Sequence, residues 1–312
     1  MNKLKQIGLT ALAGTFAATT AQAVEMSVSG SVSATFSTKD TTEVTGARLS
    51  TGDSLNFSGS GETEQGWTVT SSIEVDGGTY DDRTLSVNMG DSGTIYLQSS
   101  GAQGTPASLV STAYGSAGYS LAGDATPTGK HVADGLSSGA GSDINLGYTV
   151  SAMGFDISAG ITPGATGGSD TSVNIKYADL VDGLTLSAGM SDLNPSQANG
   201  TSEQSLSASY VMGGVTLGYT AYSADDDQAS GTDYDGTHMG ISFAVNDSLT
   251  VSYDTSTSDK SSTDVDEEVD SVQASYTMGA MTIKAHISKA DNESYSSTAT
   301  DESKAIDVSW AF

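Results

Sequence analysis

Met26-Ser-Val-Ser-Gly-Ser-Val-Ser-Ala-Thr-Phe36 is written on a two-residue rhythm. Met26, Val28, Val32, Ala34 and Phe36 share one parity, and Ser27, Ser29, Ser31, Ser33 and Thr35 fill the other. A β-strand turns successive side chains to opposite faces, so the stretch sorts into one apolar face and one hydroxylated face. The rhythm returns in Phe155-Asp-Ile-Ser-Ala159, Val173-Asn-Ile-Lys-Tyr177, Val215-Thr-Leu-Gly-Tyr-Thr-Ala221, Leu249-Thr-Val-Ser-Tyr253, Met281-Thr-Ile-Lys-Ala-His-Ile287 and Ile306-Asp-Val-Ser-Trp-Ala-Phe312. Helical spacing is nowhere sustained.

Extended along the chain, this reading predicts sixteen strands. They lie near 26 to 38, 48 to 61, 67 to 75, 83 to 90, 94 to 99, 142 to 151, 155 to 162, 171 to 178, 184 to 191, 203 to 211, 215 to 223, 236 to 245, 249 to 256, 269 to 278, 281 to 289 and 303 to 312. Short links alternate with long ones at 39 to 47, 76 to 82, 100 to 141, 163 to 170, 192 to 202, 224 to 235, 257 to 268 and 290 to 302. Strict alternation of this kind describes an up-and-down meander with one smooth end and one decorated end. Aromatic residues add a second sign. Trp67, Phe155, Tyr177, Tyr210, Tyr219, Phe243, Tyr253, Tyr276, Trp310 and Phe312 all sit on the apolar parity near the short links, as a girdle at a lipid boundary does.

Composition narrows the function. The 312 residues contain no Cys, so disulfides and Cys-ligated metals are excluded. With 38 Asp+Glu against 11 Lys+Arg, the net charge of −27 argues against nucleic acid as a partner. Lys3 and Lys5 precede a weakly apolar stretch and then Ala21-Gln22-Ala23, which reads as a signal peptide over 1–23 with the mature chain at 24–312. No apolar run is long enough for a transmembrane helix.

A cleavable leader, sixteen alternating strands, an oversized third long link and the ending Ser309-Trp310-Ala311-Phe312 together resemble the general porins of Gram-negative outer membranes. The resemblance spans the whole mature chain and is architectural. It implies an all-β, 16-stranded antiparallel transmembrane barrel, set in outer-membrane lipid as a homotrimer. The third loop would fold into the lumen, and small hydrophilic solutes and ions would diffuse through a water-filled channel. Trp310 and Phe312 would form the signal read by the barrel-assembly machinery. In that family basic wall residues face acidic residues on the inserted loop; here the loop offers only Asp124, Lys130, His131 and Asp134. The stripe Val28, Gly30, Val32 and Ala34 suits a close subunit contact.

The polar parity supplies the candidate pore-lining residues: Arg48, Glu74, Tyr96, Gln98, Asp156, Lys176, Asp254, Lys284, His286 and Asp307. His238 joins them as a neutral group, whereas Arg83 has the wrong parity if its strand is regular. Opposed charges across a narrow gap orient polar solutes and tune ion preference. No catalytic constellation is present: His131, His238 and His286 lack metal-ligand spacing, and no nucleophile elbow or phosphate loop occurs. His286 reads as part of a solvated wall. We therefore expect no enzyme activity, no cofactor and no resident metal on the wall.

Asp225-Asp226-Asp227, Asp264-Val-Asp-Glu-Glu268, Asp291, Glu293, Asp301 and Glu302 place the excess acid in the long links. Runs of like charge usually stay wet. The sharper alternative is that these oxygen-rich loops hold Ca²⁺ or Mg²⁺. A negative vestibule also concentrates cations, so a weak cation preference is expected. A β-rich acidic adhesin or layer protein without a pore, secreted or displayed at the surface, is the competing reading. Fractionation separates the two: a barrel stays in the detergent-resistant outer-membrane fraction and changes gel mobility on boiling, whereas an adhesin extracts with salt or chelator.

Overall fold

The computed structural model describes residues 25–40, 45–99, 144–164, 168–178, 180–193, 200–226 and 231–312. Its strands are β1 (Glu25–Asp40), β2 (Thr45–Glu62), β3 (Thr68–Asp76), β4 (Thr79–Asn88), β5 (Thr94–Gln98), β6 (Asn145–Ala152), β7 (Phe155–Thr162) and β8 (Asp170–Tyr177). They continue as β9 (Leu184–Leu193), β10 (Thr201–Met212), β11 (Val215–Asp226), β12 (Tyr234–Ala244), β13 (Leu249–Lys260), β14 (Glu267–Met278), β15 (Met281–Asp291) and β16 (Thr300–Ala311). Each strand pairs antiparallel with its neighbours in chain order, and β1 closes on β16. A closed ring is neither a solenoid nor a two-layer slab. It leaves no sheet edge, so every strand finds a backbone partner on both sides.

The barrel is inside out relative to a water-soluble protein. Val28, Val32, Phe36, Leu217, Ile241, Tyr276 and Val308 are exposed on the outer face, while Ser187, Ser207, Thr220, Ser252, Ser271 and Ser288 are buried on the inner one. Large apolar residues normally occupy the core, so this outer face calls for hydrocarbon. The aromatic positions form part of it: Trp67, Tyr210, Tyr219, Phe243, Tyr253 and Trp310 are exposed there. Phe155 and Tyr177, paired across β7 and β8, stack with ring centroids 4.5 Å apart.

At the long-link end the strands outrun the rhythm that announced them. β11 reaches Asp226, β13 reaches Lys260, β14 starts at Glu267 and β16 at Thr300. Asp225, Asp226, Glu267, Glu268, Asp291, Asp301 and Glu302 are therefore strand residues rather than loop residues. Apolar side chains stop where the lipid stops, but the backbone ladder gains from pairing on either side of that boundary.

Between β3 and β4 the expected long link is two residues, Gly77-Gly78, with φ of +54° and +81°. Positive φ at both positions is what a tight primed hairpin needs, and glycine accepts it without strain. The rhythm fails here because β4 bulges: Ile73 pairs with Arg83 and Val75 with Tyr80, so β4 carries one extra residue. Arg83 shares the outward face of Ile73 and lies outside the lumen. The leader, the link at 41–44 and the third link at 100–143, with Asp124, Lys130, His131 and Asp134, lie outside the described residues.

Closure is sealed at the last residue. Gly30 donates its N–H to the Phe312 carbonyl, and Phe312 donates back to the Gly30 carbonyl, both at 2.9 Å. A Cβ on Gly30 would stand 2.7 Å from the Ser54 carbonyl oxygen, 2.8 Å from Cζ of Phe312 and 2.9 Å from a Leu55 methyl. The place of a side chain at Gly30, in the middle of the outward stripe, is thus filled by this chain's own aromatic ring. G30A should cost about 1 to 3 kcal/mol by overpacking. G46A, at a position with nothing within 4 Å, should be near neutral. The temperature at which the compact band converts to the unfolded band on gels measures both; equal shifts would refute the seal.

Candidate functional site

Direct antiparallel partners share a face, so the strand register traces the inner wall row by row. One row runs from Asp156 to Lys176, then through Ser187, Ser207, Thr220 and His238 to Ser256. Another links Arg48 to Ser37, Ala305, His286, Gln273 and Ser252. Thr35 and Lys284 flank Asp307 from both sides. On β5, Tyr96 lies opposite Gly147 and Gln98 opposite Asn145, and Glu74 of β3 lies opposite Asn56. Trp310 is on the outer face, opposite Val32 and Met281.

Five inward carboxylates, Glu74, Asp156, Glu203, Asp254 and Asp307, each receive a hydrogen bond from a neighbouring strand. Ser54 donates to Glu74, Ser151 to Asp156 and Ser191 to Glu203. Thr35 donates to Asp307 at 2.7 Å, and Gln273 donates through Nε2 to Asp254 at 3.3 Å. A hydroxyl donor to an ionised oxygen is a strong, charge-assisted bond, and it draws the carboxylate flat against the wall. Polar spacing of two on adjacent strands makes these pairs possible, because each of these five carboxylates has an inward Ser, Thr or Gln on the adjoining strand. Glu203, buried and bonded in this way, was missed by sequence reasoning; its parity with Ser205 and Ser207 was the available signal.

On β12 to β15 these contacts join into a polar ladder, and a further pair links β15 to β16. His238 Nε2 lies 3.7 Å from Asp254 Oδ1, with both side chains 1% exposed. Gln273 Nε2 also reaches Ser271 Oγ at 3.3 Å, Ser271 meets Ser288 at 2.7 Å, and His286 Nε2 meets Ser303 Oγ at 3.0 Å. His286 is therefore a buried, hydrogen-bonded residue, which corrects its assignment to a solvated wall. A charge removed from water needs partners of this kind. On β12 the residue opposite Asp254 is Gly240.

The two sides of the lumen differ. Among the described residues, the inward Ser, Thr and Asn side chains of β1 to β5 stay partly or fully open to water, whereas most of those on β9 to β16 are buried. Tyr222 contributes to the covered side: its ring lies over Gly236, where an added Cβ would fall 2.3 Å away. Arg48, Asp156 and Lys176 are exposed, and Glu74, Tyr96, Gln98, Lys284 and Asp307 are half-buried. The acids of the long-link end divide by parity. Asp225, Glu268 and Glu302 point outward and are exposed, while Glu267 and Asp301 point inward and are buried. They are not uniformly wet.

Among curated proteins, none matches the chain. Solved structures do. A refined porin structure aligns over 92% of this chain and all of its own, with TM-score 0.68 and 16% identity. The anion-selective porin of Comamonas acidovorans aligns over 93% and 100%, with TM-score 0.69 and 14% identity. The trimer form of OmpT, an outer-membrane protein of Vibrio cholerae, aligns over 93% and 100%, with TM-score 0.67 and 14% identity. At such identities the likeness is one of fold. The sequence profile of Gram-negative porins matches residues 8–312. The hydroxyl-lined ring with its apolar exterior is thus the barrel of an outer-membrane channel, and the chain belongs to the Gram-negative porin family.

Proposed function

We propose that the protein conducts small hydrophilic solutes and ions by passive diffusion, with a weak preference for cations. The observation that carries this reading is the placement of polar side chains inside a closed ring of sixteen strands. A ring of that size is too wide for its own side chains to fill, so water occupies the remainder. The open path runs beside β1 to β5, where Ser31, Ser33, Ser54, Asn56 and Ser72 offer hydroxyls and amides rather than a binding pocket. Such a wall replaces hydration without holding any one solute.

The sign of the selectivity rests on charge. Removing the leader takes away two Lys and no acid, so the mature chain has 9 basic and 38 acidic residues, a net −29. A related fold is described as anion-selective, so the fold alone does not set the sign, and this chain's own acids must. Because the inward carboxylates are held against the wall by hydroxyls, their field reaches the lumen without blocking it. The pore-lining roles of Arg48, Glu74, Asp156, Lys176, Lys284 and Asp307, and a narrowing by the third link, belong to this proposal. So does a homotrimer, supported by the trimeric form of the Vibrio relative.

Planar-bilayer recordings in a salt gradient should give stable conductance steps and a reversal potential of cation-selective sign; an anion-selective sign would overturn the preference. Crosslinking in mild detergent should yield trimers, and a product confined to monomers would remove that part.

A further inference from the structure

The link between β15 and β16 does not stay at the rim. It leaves β15 at Asp291, forms a short 3-10 turn at Glu293–Tyr295 and rejoins the wall at Thr300. Its contacts lie one and two strands away. Asn292 Nδ2 donates to the Asp266 carbonyl at 2.9 Å, and the Ser294 N–H donates to the inward Glu267 carboxylate of β14 at 2.7 Å. Tyr295 reaches further, and its hydroxyl meets Ser258 Oγ on β13 at 2.8 Å. Ser258 is an inward residue directly opposite Glu267. Neighbouring strands stand about 4.8 Å apart, so the tyrosine crosses the inner face of β14 to arrive there.

Tyr295 ends 8% exposed, and Glu293 and Ala299 are buried with it. Asn292, Ser294 and Tyr295 all have φ between +57° and +59°. The left-handed region is unusual for a bulky side chain and persists only where surrounding contacts hold it. Here Ser294 and Tyr295 are held by the wall and Asn292 by the link that precedes β14. Beside them, Lys260 of β13 lies with its ammonium 5.3 Å from the centroid of Tyr295 and 5.7 Å from that of Tyr234 on β12. Both distances fall within reach of cation–π attraction. The two rings stand 6.0 Å apart.

We infer that the eighth link is a fixed stopper over the β12 to β14 side of the outer mouth, latched by Tyr295 on Ser258. Lys260, clamped between Tyr234 and Tyr295, is the positive charge that entering ions meet there. The inference rests on the channel reading and adds specific determinants to it. The stopper narrows the entrance, and the lysine offsets the acidic residues around it, which keeps the cation preference weak.

Single-channel recordings on the full-length mature protein test this, with the compact gel band confirming that each variant folds. Y295A should raise conductance by about twofold, as expected when an aromatic latch leaves a narrow mouth. S258A, which removes only the hydroxyl, should shift it in the same direction and serves if Y295A fails to fold. K260Q should raise the cation-to-anion permeability ratio on the order of twofold. Wild-type conductance in both latch variants overturns the stopper, and an unchanged reversal potential in K260Q overturns the lysine's role. Wild-type protein that opens no channels at all would instead overturn the channel reading itself, and the inference with it.

Discussion

Backbone N–H and C=O groups placed in hydrocarbon have no water to bond, and each one left alone costs several kcal/mol. That requirement governs the whole molecule. A single open seam would expose two strands of unpaired groups to lipid, so sixteen strands are useful only when the last meets the first. The seam is made by the pairing of Ser31 to Asp40 with Ala311 to Glu302, and it is finished by the reciprocal bonds between Gly30 and Phe312. Glycine at that point lets the terminal ring lie against the first strand, so an aromatic side chain covers backbone that would otherwise face lipid.

Once the ring is closed, the outer face is settled by the lipid and the inner face is left to chemistry. Acids dominate this chain, and acids facing one another across a confined lumen would repel. The wall answers with short donors: Ser54, Ser151, Ser191, Thr35 and Gln273 each hold a carboxylate of the adjoining strand. These side chains are small, so they satisfy charge without consuming lumen. The covered side of the barrel carries this furthest. His238, Asp254, Gln273 and Ser271 form a ladder shielded from water, while the side built by β1 to β5 stays wet.

Much of the fold was legible because a barrel wall repeats one simple instruction. Apolar and polar residues alternate, and both the count of sixteen strands and the assignment of residues to faces follow from that alone. Legibility failed where the instruction changes. At Asp225, Glu267 and Asp301 the strand continues although its side chains have become acidic, because pairing is a property of the backbone. At Gly77-Gly78 an extra residue in β4 broke the parity, and a two-residue hairpin looked like a long link. Gly30 read only as one of four small residues in a stripe, since nothing within its own strand shows that Phe312, at the far end of the chain, will lie against it.

Alternation, turn residues and charge belong to the sequence by itself. They determined an inside-out antiparallel barrel, its apolar exterior, its aromatic girdle and the acidic balance of its mouth, because each depends on neighbours one to four residues apart or on composition. What lies across the lumen or around the ring was decided only by tertiary structure. The burial of His286, the ladder from His238 to Ser288, the ring of Tyr222 over Gly236 and the reach of Tyr295 to Ser258 join residues on different elements. Their contacts depend on register, curvature and the path of a link, and these exist only once the ring has closed.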